Sequence, residues 1–264
     1  MRPLLLIQTG EAPDVVRAQF GGFADWFREA MRLRPAQMQV VRVDAGEALP
    51  HPGDVPGAVI TGSAAMVTER TDWSEHTAAW IRDALAAHTP LFGVCYGHQL
   101  MAHALGGTVG WLPDGREMGT QTMSRGRLPG TGVTRGLPAS FPAHTTHRQS
   151  VLAPPPGAQV LARSARDPHQ LLRYASRAVS TQFHPEFTAA CMRAYIDARA
   201  DALREEGCDV AAMREAVRET EAARTLLVRF AQAALGAPVT APGAERRPVE
   251  GRSGVRESEP GVRA

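Results

Sequence analysis

One cysteine stands where a thiol can act as a nucleophile. The run Pro90-Leu91-Phe92-Gly93-Val94-Cys95-Tyr96-Gly97-His98-Gln99-Leu100-Met101 joins an apolar strand pattern to a helical one, and Cys95 falls at the corner between them. Gly93 and Gly97 flank it symmetrically, the cysteine counterpart of a G-x-S-x-G nucleophile elbow. Such glycines let the chain turn sharply and let a neighbouring strand or a substrate come close. The corner exposes the sulfur at the top of a sheet and sets it at the positive end of a helix dipole, which favours thiolate. The N–H of the following residue, Tyr96, is then free to stabilise an oxyanion. The plainer alternative is that Cys95 is a small buried hydrophobe, as most free cysteines are.

A nucleophilic thiol needs a base, and one of the nine histidines stands out, in Thr181-Gln182-Phe183-His184-Pro185-Glu186-Phe187. His184 ends a strand pattern, and Pro185 fixes the local backbone. In extended geometry His184 and Glu186 project to the same side, so the carboxylate can hold the imidazole in one tautomer. That is the logic of nucleophile, base and orienter. An exposed histidine beside an unrelated glutamate is the alternative. The other histidines offer less. His98 and His103 do not share a helix face, so a metal pair is not expected there. His144 and His147 lack an evident third ligand and suit structural or pocket roles.

The elements that must position these residues alternate. Strands are expected at Pro3 to Gln8, Met38 to Val43, Gly57 to Ile60 and Pro90 to Val94. Helices are expected at Asp14 to Met31, weakened at Gly21-Gly22, at Asp72 to Ala87 and at Gly97 to Leu105. Alternation of this kind implies parallel pairing in an open α/β sheet, with ligands at the carboxyl ends of the strands. From Gly107 to Phe183 short alternating runs such as Gln159 to Arg163, Gln170 to Tyr174 and Ala178 to Phe183 read as β-rich and partly antiparallel. From Thr188 to Leu235 the chain turns helical, with Gly207 as a break. Trp26, Trp73 and Trp80 read as core, Cys191 and Cys208 as packing residues, and Arg214 to Arg229 as a solvated face with i,i+4 pairs. Residues 236–264, rich in Pro, Gly, Glu and Arg, read as a disordered tail.

Composition narrows the chemistry. The 264 residues, 44% hydrophobic and 21% charged, are ordinary for a soluble globular chain, and a net charge of +2 gives no electrostatic case for nucleic acid or membrane. All 29 basic residues are arginine. Without lysine neither a P-loop nor a pyridoxal Schiff base can be built. Three scattered cysteines suggest neither a disulfide framework nor a zinc site, and point to a reduced, cytoplasmic chain.

Together the two motifs resemble the catalytic elements of the class I, triad-type glutamine amidotransferases, in particular the glutaminase domain of GMP synthases. In that family a G-x-C-x-G-x-Q elbow is followed by a His-x-Glu pair, commonly His-Pro-Glu. Gly93 to Gln99 and His184 to Glu186 match in order. The resemblance runs over roughly residues 2–190. Ile60-Thr61-Gly62-Ser63 is similar to the family's oxyanion turn, Arg116-Glu117-Met118-Gly119 to its E-x-G segment, and Thr146-His147-Arg148-Gln149-Ser150-Val151 to its His-Gly-Asp-x-Val segment. The departures are Arg148 and Gln149, where many members carry Gly and Asp.

The resemblance implies a flavodoxin-like, mostly parallel sheet flanked by helices, as a domain over 1–190 with a helical extension over 191–235. It implies Cys95 as nucleophile, His184 as base and Glu186 as orienter. It puts an oxyanion hole at Gly62, Ser63 and Tyr96, and substrate contacts at Gln99, Thr146, His147 and Arg148. No metal or other cofactor is implied. The expected reaction is hydrolysis of the γ-amide of glutamine, with ammonia passed to a separate synthetase chain, since only 78 residues follow Glu186. The alternative is a stand-alone γ-glutamyl peptidase or hydrolase, which the Arg148-Gln149 departure makes credible; a non-catalytic binding module ranks third. The helices after Thr188 could cap the site, pack on the sheet or form a homodimer contact.

Overall fold

The computed structural model describes residues 2–126, 130 and 132–236. In chain order the first elements are β1 (Leu4–Gln8), α1 (Asp14–Phe20), α2 (Phe23–Ala30), β2 (Met38–Arg42), β3 (Ala58–Ile60), α3 (Asp72–Ala86), β4 (Leu91–Val94) and α4 (Tyr96–Ala104). Next come β5 (Thr108–Trp111), β6 (Glu117–Arg125), β7 (Ser140–His147), β8 (Gln149–Ala153), β9 (Gln159–Arg163), β10 (Leu171–Ala175) and β11 (Ala178–Thr181). Four helices close the described chain: α5 (Ala189–Ala198), α6 (Ala200–Glu205), α7 (Val210–Glu215) and α8 (Glu221–Leu235).

Nine strands form one sheet in the order β2-β1-β3-β4-β11-β10-β9-β6-β7. From β2 to β11 every pairing is parallel, and from β11 to β7 every pairing is antiparallel. β5 and β8 make a separate antiparallel pair. The central strands β1, β3, β4 and β11 are buried along their whole length, as strands covered by helices on both faces must be. The expected open sheet with a parallel centre is therefore present. Its antiparallel half starts from the strand that leads to His184.

Two apolar layers sandwich the parallel strands. One packs Leu4, Leu6, Phe92 and Val94 against α2, α5 and α8. The other packs Leu5, Ile7, Ile60 and Leu91 against α3 and α4. Side chains alternate between faces along each strand, so one strand feeds both layers. The late helices belong to the first layer: Tyr195, Ile196, Leu203, Leu227 and Phe230 share it with β1.

Three expectations change. The helix expected over Asp14 to Met31 is two helices. Gly21 turns with φ 77°, its N–H closing on the Arg17 carbonyl at 3.0 Å, which ends α1 and restarts the chain at α2. Gly207, at φ 78°, breaks α6 from α7, but the helical part also breaks at Arg199 and between Ala216 and Thr220. The arginines after Arg214 are not an i,i+4 face. Arg214 pairs with Asp197, Arg224 donates to the Glu186 carbonyl, and Arg229 donates to the Arg135 carbonyl. Apart from Gly236, the tail expected over 236–264 lies outside the described residues. No helix among them is long and apolar enough to cross a membrane.

Candidate active site

The parallel register brings the motifs together. Val94 pairs with Thr181 and Gly93 with Ile60, so β3, β4 and β11 end at one level. Their next residues, Gly62-Ser63, Cys95 and His184, emerge at the carboxyl edge, where ligands of open α/β sheets bind. The Cys95 N–H bonds the Thr181 carbonyl at 2.8 Å, tying the elbow to the strand that delivers the histidine.

The elbow is strained at the cysteine itself. Cys95 has φ 52° and ψ −101°, outside the ordinary wells, a conformation that costs about 1–3 kcal/mol. The two flanking glycines serve close approach instead. A Cβ on Gly97 would lie 2.5 Å from the Ile60 carbonyl oxygen, and one on Gly93 2.6 Å from the Gly97 carbonyl oxygen. Both glycines let α4 start directly against the ends of β3 and β4. Tyr96 opens that helix, so no carbonyl of the helix faces its N–H. Its hydroxyl is bound away from the cysteine, 2.6 Å from Ser74 Oγ.

His184 is held on three sides. Nδ1 bonds Glu186 Oε1 at 2.7 Å, and both side chains are buried. Phe187 stacks on the ring at 4.3 Å and in turn touches Trp26 and Tyr195. The third side needs Gly62, where an added Cβ would lie 3.1 Å from His184 Cε1 and 3.6 Å from Cys95 Cβ. With Nδ1 on the carboxylate, Nε2 is the nitrogen left for the thiol, and it has no full hydrogen bond among the described residues. Loose pairing of this kind is usual before substrate binds. Burial opposes charge on the ring. The Glu186 carboxylate and the Cys95 sulfur outweigh it and push the imidazole up to about 10. His144, whose carbonyl accepts the His184 N–H at 2.8 Å, is pushed down to about 4 by burial and by His184 and Arg193.

The turn after β3 is pinned from behind. The Gly62 carbonyl accepts from Thr9 Oγ1 and Thr61 Oγ1, both at 2.9 Å. In a planar trans peptide the next N–H points the opposite way. The Ser63 N–H is thus turned from the threonines, and Ser63 lines the same cavities as Cys95.

Two cavities meet at Cys95. The smaller, 120 Å³, runs past Tyr96, Gln99, Thr146, His147 and Arg148. The larger, 280 Å³, runs past Gly62, His184, Phe23 and Tyr195. Ser63, Cys95, Thr146 and Arg199 border both. All the expected residues but Glu186, which stands behind His184, line one cavity or the other. Two of them are engaged inside the protein. Gln99 Nε2 donates to the Gln149 carbonyl and to Gln182 Oε1. His147 has Nδ1 on the Gln149 carbonyl and Nε2 on Glu117 Oε2. Glu117, of the E-x-G segment, also accepts from Ser164 and Gln170.

Three lining residues were not foreseen as contacts. Gln149 gives one end of its amide to Thr68 Oγ1, while the other end has no partner among the described residues. Its departure from the family's Asp was the available signal. Arg116 is a neighbour of the E-x-G segment but carries no signal of its own. Arg199 arrives from the turn after α5, and nothing in its local sequence marks it. Burial and the charges of Arg116 and Arg148 hold the Arg199 guanidinium below its ordinary value, against a pull from Tyr195 and Cys95. No cluster of three or more His, Cys, Asp or Glu among the described residues could hold a metal ion.

The sequence model of the glutamine amidotransferase class-I family matches residues 19–200. The chain belongs to that family. It is 32% identical over 188 residues to a glutamine-hydrolysing GMP synthase of Aeropyrum pernix, a match covering 69% of this chain and 34% of that enzyme. It is 26% identical over 199 residues to γ-glutamyl peptidase 5 of Arabidopsis thaliana, covering 73% of this chain and 78% of the peptidase. The chain thus spans about a third of that synthase and most of the peptidase. A crystal structure of a glutamine amidotransferase from Thermotoga maritima superposes with a TM-score of 0.70 at 21% identity, covering 90% of this chain and all of that one. As an amidotransferase of this class, the protein has its elbow and its His-Pro-Glu pair inside the matched span.

Proposed function

We propose that this amidotransferase hydrolyses γ-glutamyl amides through a thioester on Cys95. The observation that carries the reading is the convergence of Cys95, His184 and Glu186 at the ends of adjacent parallel strands, with His184 Nδ1 on Glu186 and Nε2 left for the thiol. Glu186 sets the tautomer, and His184 takes the thiol proton. The sulfur adds to the γ-carbonyl carbon. The oxyanion is held by the Ser63 and Tyr96 N–H groups, each worth about 3 kcal/mol of barrier. Gly62 supports that hole by its approach to the ring. The C–N bond then breaks, and the nitrogen leaves with the proton from Nε2. Water adds to the thioester and gives its proton to Nε2. The C–S bond breaks, the sulfur takes the proton back from Nε2, and glutamate departs.

With glutamine as substrate the leaving group is ammonia, passed to a separate synthetase. The likeness to one subunit of the glutamine-hydrolysing GMP synthase of Methanopyrus kandleri, 37% over 107 residues, supports that division between chains. The second reading is a γ-glutamyl hydrolase. It is favoured by the 280 Å³ cavity on the His184 side, where ammonia needs only about the ~30 Å³ share of a water molecule. Three free cysteines support a cytoplasmic setting. Light scattering separates a monomer from a homodimer. Ammonia release from glutamine and amine release from γ-glutamyl amides test the reaction. Both should vanish in Cys95→Ala, and turnover equal to wild type in that variant refutes it.

A further inference from the structure

The cavities at Cys95 carry more positive charge than glutamine can use. Arg116 is already matched: its guanidinium holds Glu206 through Nε on Oε2 and Nη2 on Oε1, each at 2.9 Å. Arg148 and Arg199 make no ion pair among the described residues. Arg148 lies 4.8 Å over the ring of Trp111, which positions it without cancelling its charge. Arg199 keeps a buried Nε with no acceptor among the described residues. The carboxylates across the larger cavity do not reach it, because Glu11 is taken by Gln8 and Arg42, and Asp14 by Arg17. Two unpaired cations therefore face a space between Cys95 and solvent. Glutamine offers one carboxylate and one ammonium, and the ammonium would have to share a site with the surplus cation.

The two arginines stand on different sides of the reacting atoms. His184 borders only the larger cavity, and His184 must protonate the leaving nitrogen, so the leaving group lies there. The glutamyl head then lies in the smaller cavity, among Gln149, Thr146 and Arg148. Thr146 Oγ1 and Gln149 Oε1 have no partner among the described residues and can meet its α-ammonium. Arg148 borders only this side of the Cys95 seam, whereas Arg199 sits on the seam, within reach of both arms.

We propose that Arg148 binds the carboxylate of the glutamyl head and Arg199 a second carboxylate on the leaving amine, so that the preferred substrate is a γ-glutamyl α-amino acid. The inference rests on the thioester reaction above and selects its second reading. It also gives the C-terminal helices a role, since the turn between α5 and α6 delivers the guanidinium that reads the leaving group. The two carboxylates match the two unpaired arginines, and the ammonium falls to neutral acceptors.

The test compares γ-glutamyl-glycine with γ-glutamyl-glycinamide, which differ only in the second carboxylate. The full chain should favour the acid by about tenfold or more in kcat/KM, the range for a charge-assisted hydrogen bond. Arg199→Gln should bring the ratio to near one, and Arg199→Lys should retain part of it. The ratio is taken within one protein, so a loss of folded fraction cancels. A parallel measurement reads binding without turnover: protection of Cys95 from iodoacetamide by each dipeptide. Turnover with no preference for the acid overturns the subsite and leaves the reaction standing. Selective protection without turnover supports the subsite and refutes the reaction. Equal protection by both dipeptides, or a preference that survives in Arg199→Gln, overturns the proposal.

Discussion

The centre of the site and its rim are built on opposite plans. Around Cys95, His184 and Glu186 nearly every side chain is buried and fixed by backbone: a strained elbow, a proline, an aromatic stack and a glycine whose Cβ would press on the imidazole. At the rim stand Arg148 and Arg199, long side chains with no ion-pair partner among the described residues, drawn from segments that share no motif. Bond making tolerates little misplacement, which suits the short rigid stretches that carry the proposed reacting groups. Charge recognition acts over longer reach, so flexible arginines from separate elements suffice. Changes at the centre should therefore strike kcat, and changes at the rim should strike KM.

The largest effect is expected from Cys95→Ala, which removes the atom proposed to form the thioester. Turnover should fall at least about 10⁴-fold in a stopped ammonia or amine assay, while the far-ultraviolet spectrum and melting temperature stay near wild type. Glu186→Gln tests whether the carboxylate works through the imidazole. The amide can hydrogen-bond Nδ1 but cannot balance imidazolium charge, so kcat should drop about 10³-fold with KM little changed. A KM effect alone would dissolve the contrast between centre and rim. Arg148→Met should do the converse, raising KM about tenfold for every γ-glutamyl substrate while kcat holds within about threefold.

Gly62→Ala sharpens the comparison at a position with no reactive group. The new methyl meets His184 Cε1 at 3.1 Å, so the ring must give by a few tenths of an ångström. A loss of about tenfold in kcat is expected with a stability loss of about 1–3 kcal/mol by urea melts.

The last effect concerns pH and touches stability rather than turnover. His184 is raised to about 10 in the folded chain, so its stabilising contribution is present below the unfolded value near 6.5 and is lost as pH rises through about 10. His98 runs the other way. Burial first, then His147 and His169, push it down to about 3, and Ser180 Oγ at 2.7 Å from Nδ1 does not compensate. The unfolded chain then binds the proton more readily, so stability should decline as pH falls from about 6.5 toward 3. Urea midpoints from pH 6.5 to pH 4 should show that acid slope, and His98→Gln should lessen it, leaving the part that comes from His144, which burial first and then His184 and Arg193 push down to about 4.

Much of the centre was readable from contiguous residues. Gly93 to Gln99 encodes a strand, a turn and a helix in seven positions. His184 to Glu186 puts base and orienter on one side of an extended segment. Local backbone rules suffice for both, which is why the elbow and the ring–carboxylate bond lie where the motifs put them. The reason for the glycines was less visible: the positive φ belongs to Cys95, while Gly93 and Gly97 are required by approaching backbone from α4 and β3. The broken first helix shows the same limit, because its apolar spacing continues through Gly21-Gly22 and only the turn at Gly21 separates the two halves.

Residue types and short spacings, then, were enough to name the candidate reacting groups and to determine the alternation of strand and helix and the parallel centre of the sheet. These follow from side-chain periodicity and backbone sterics, which act over a few residues. Packing alone settled which distant groups meet. The register of β4 on β11 carries His184 to Cys95, Glu117 and the Gln149 carbonyl occupy the two nitrogens of His147, and the turn at Arg199 brings a guanidinium to the cavities at Cys95. Such meetings depend on the summed burial of two apolar layers, and no local stretch of the chain contains that information.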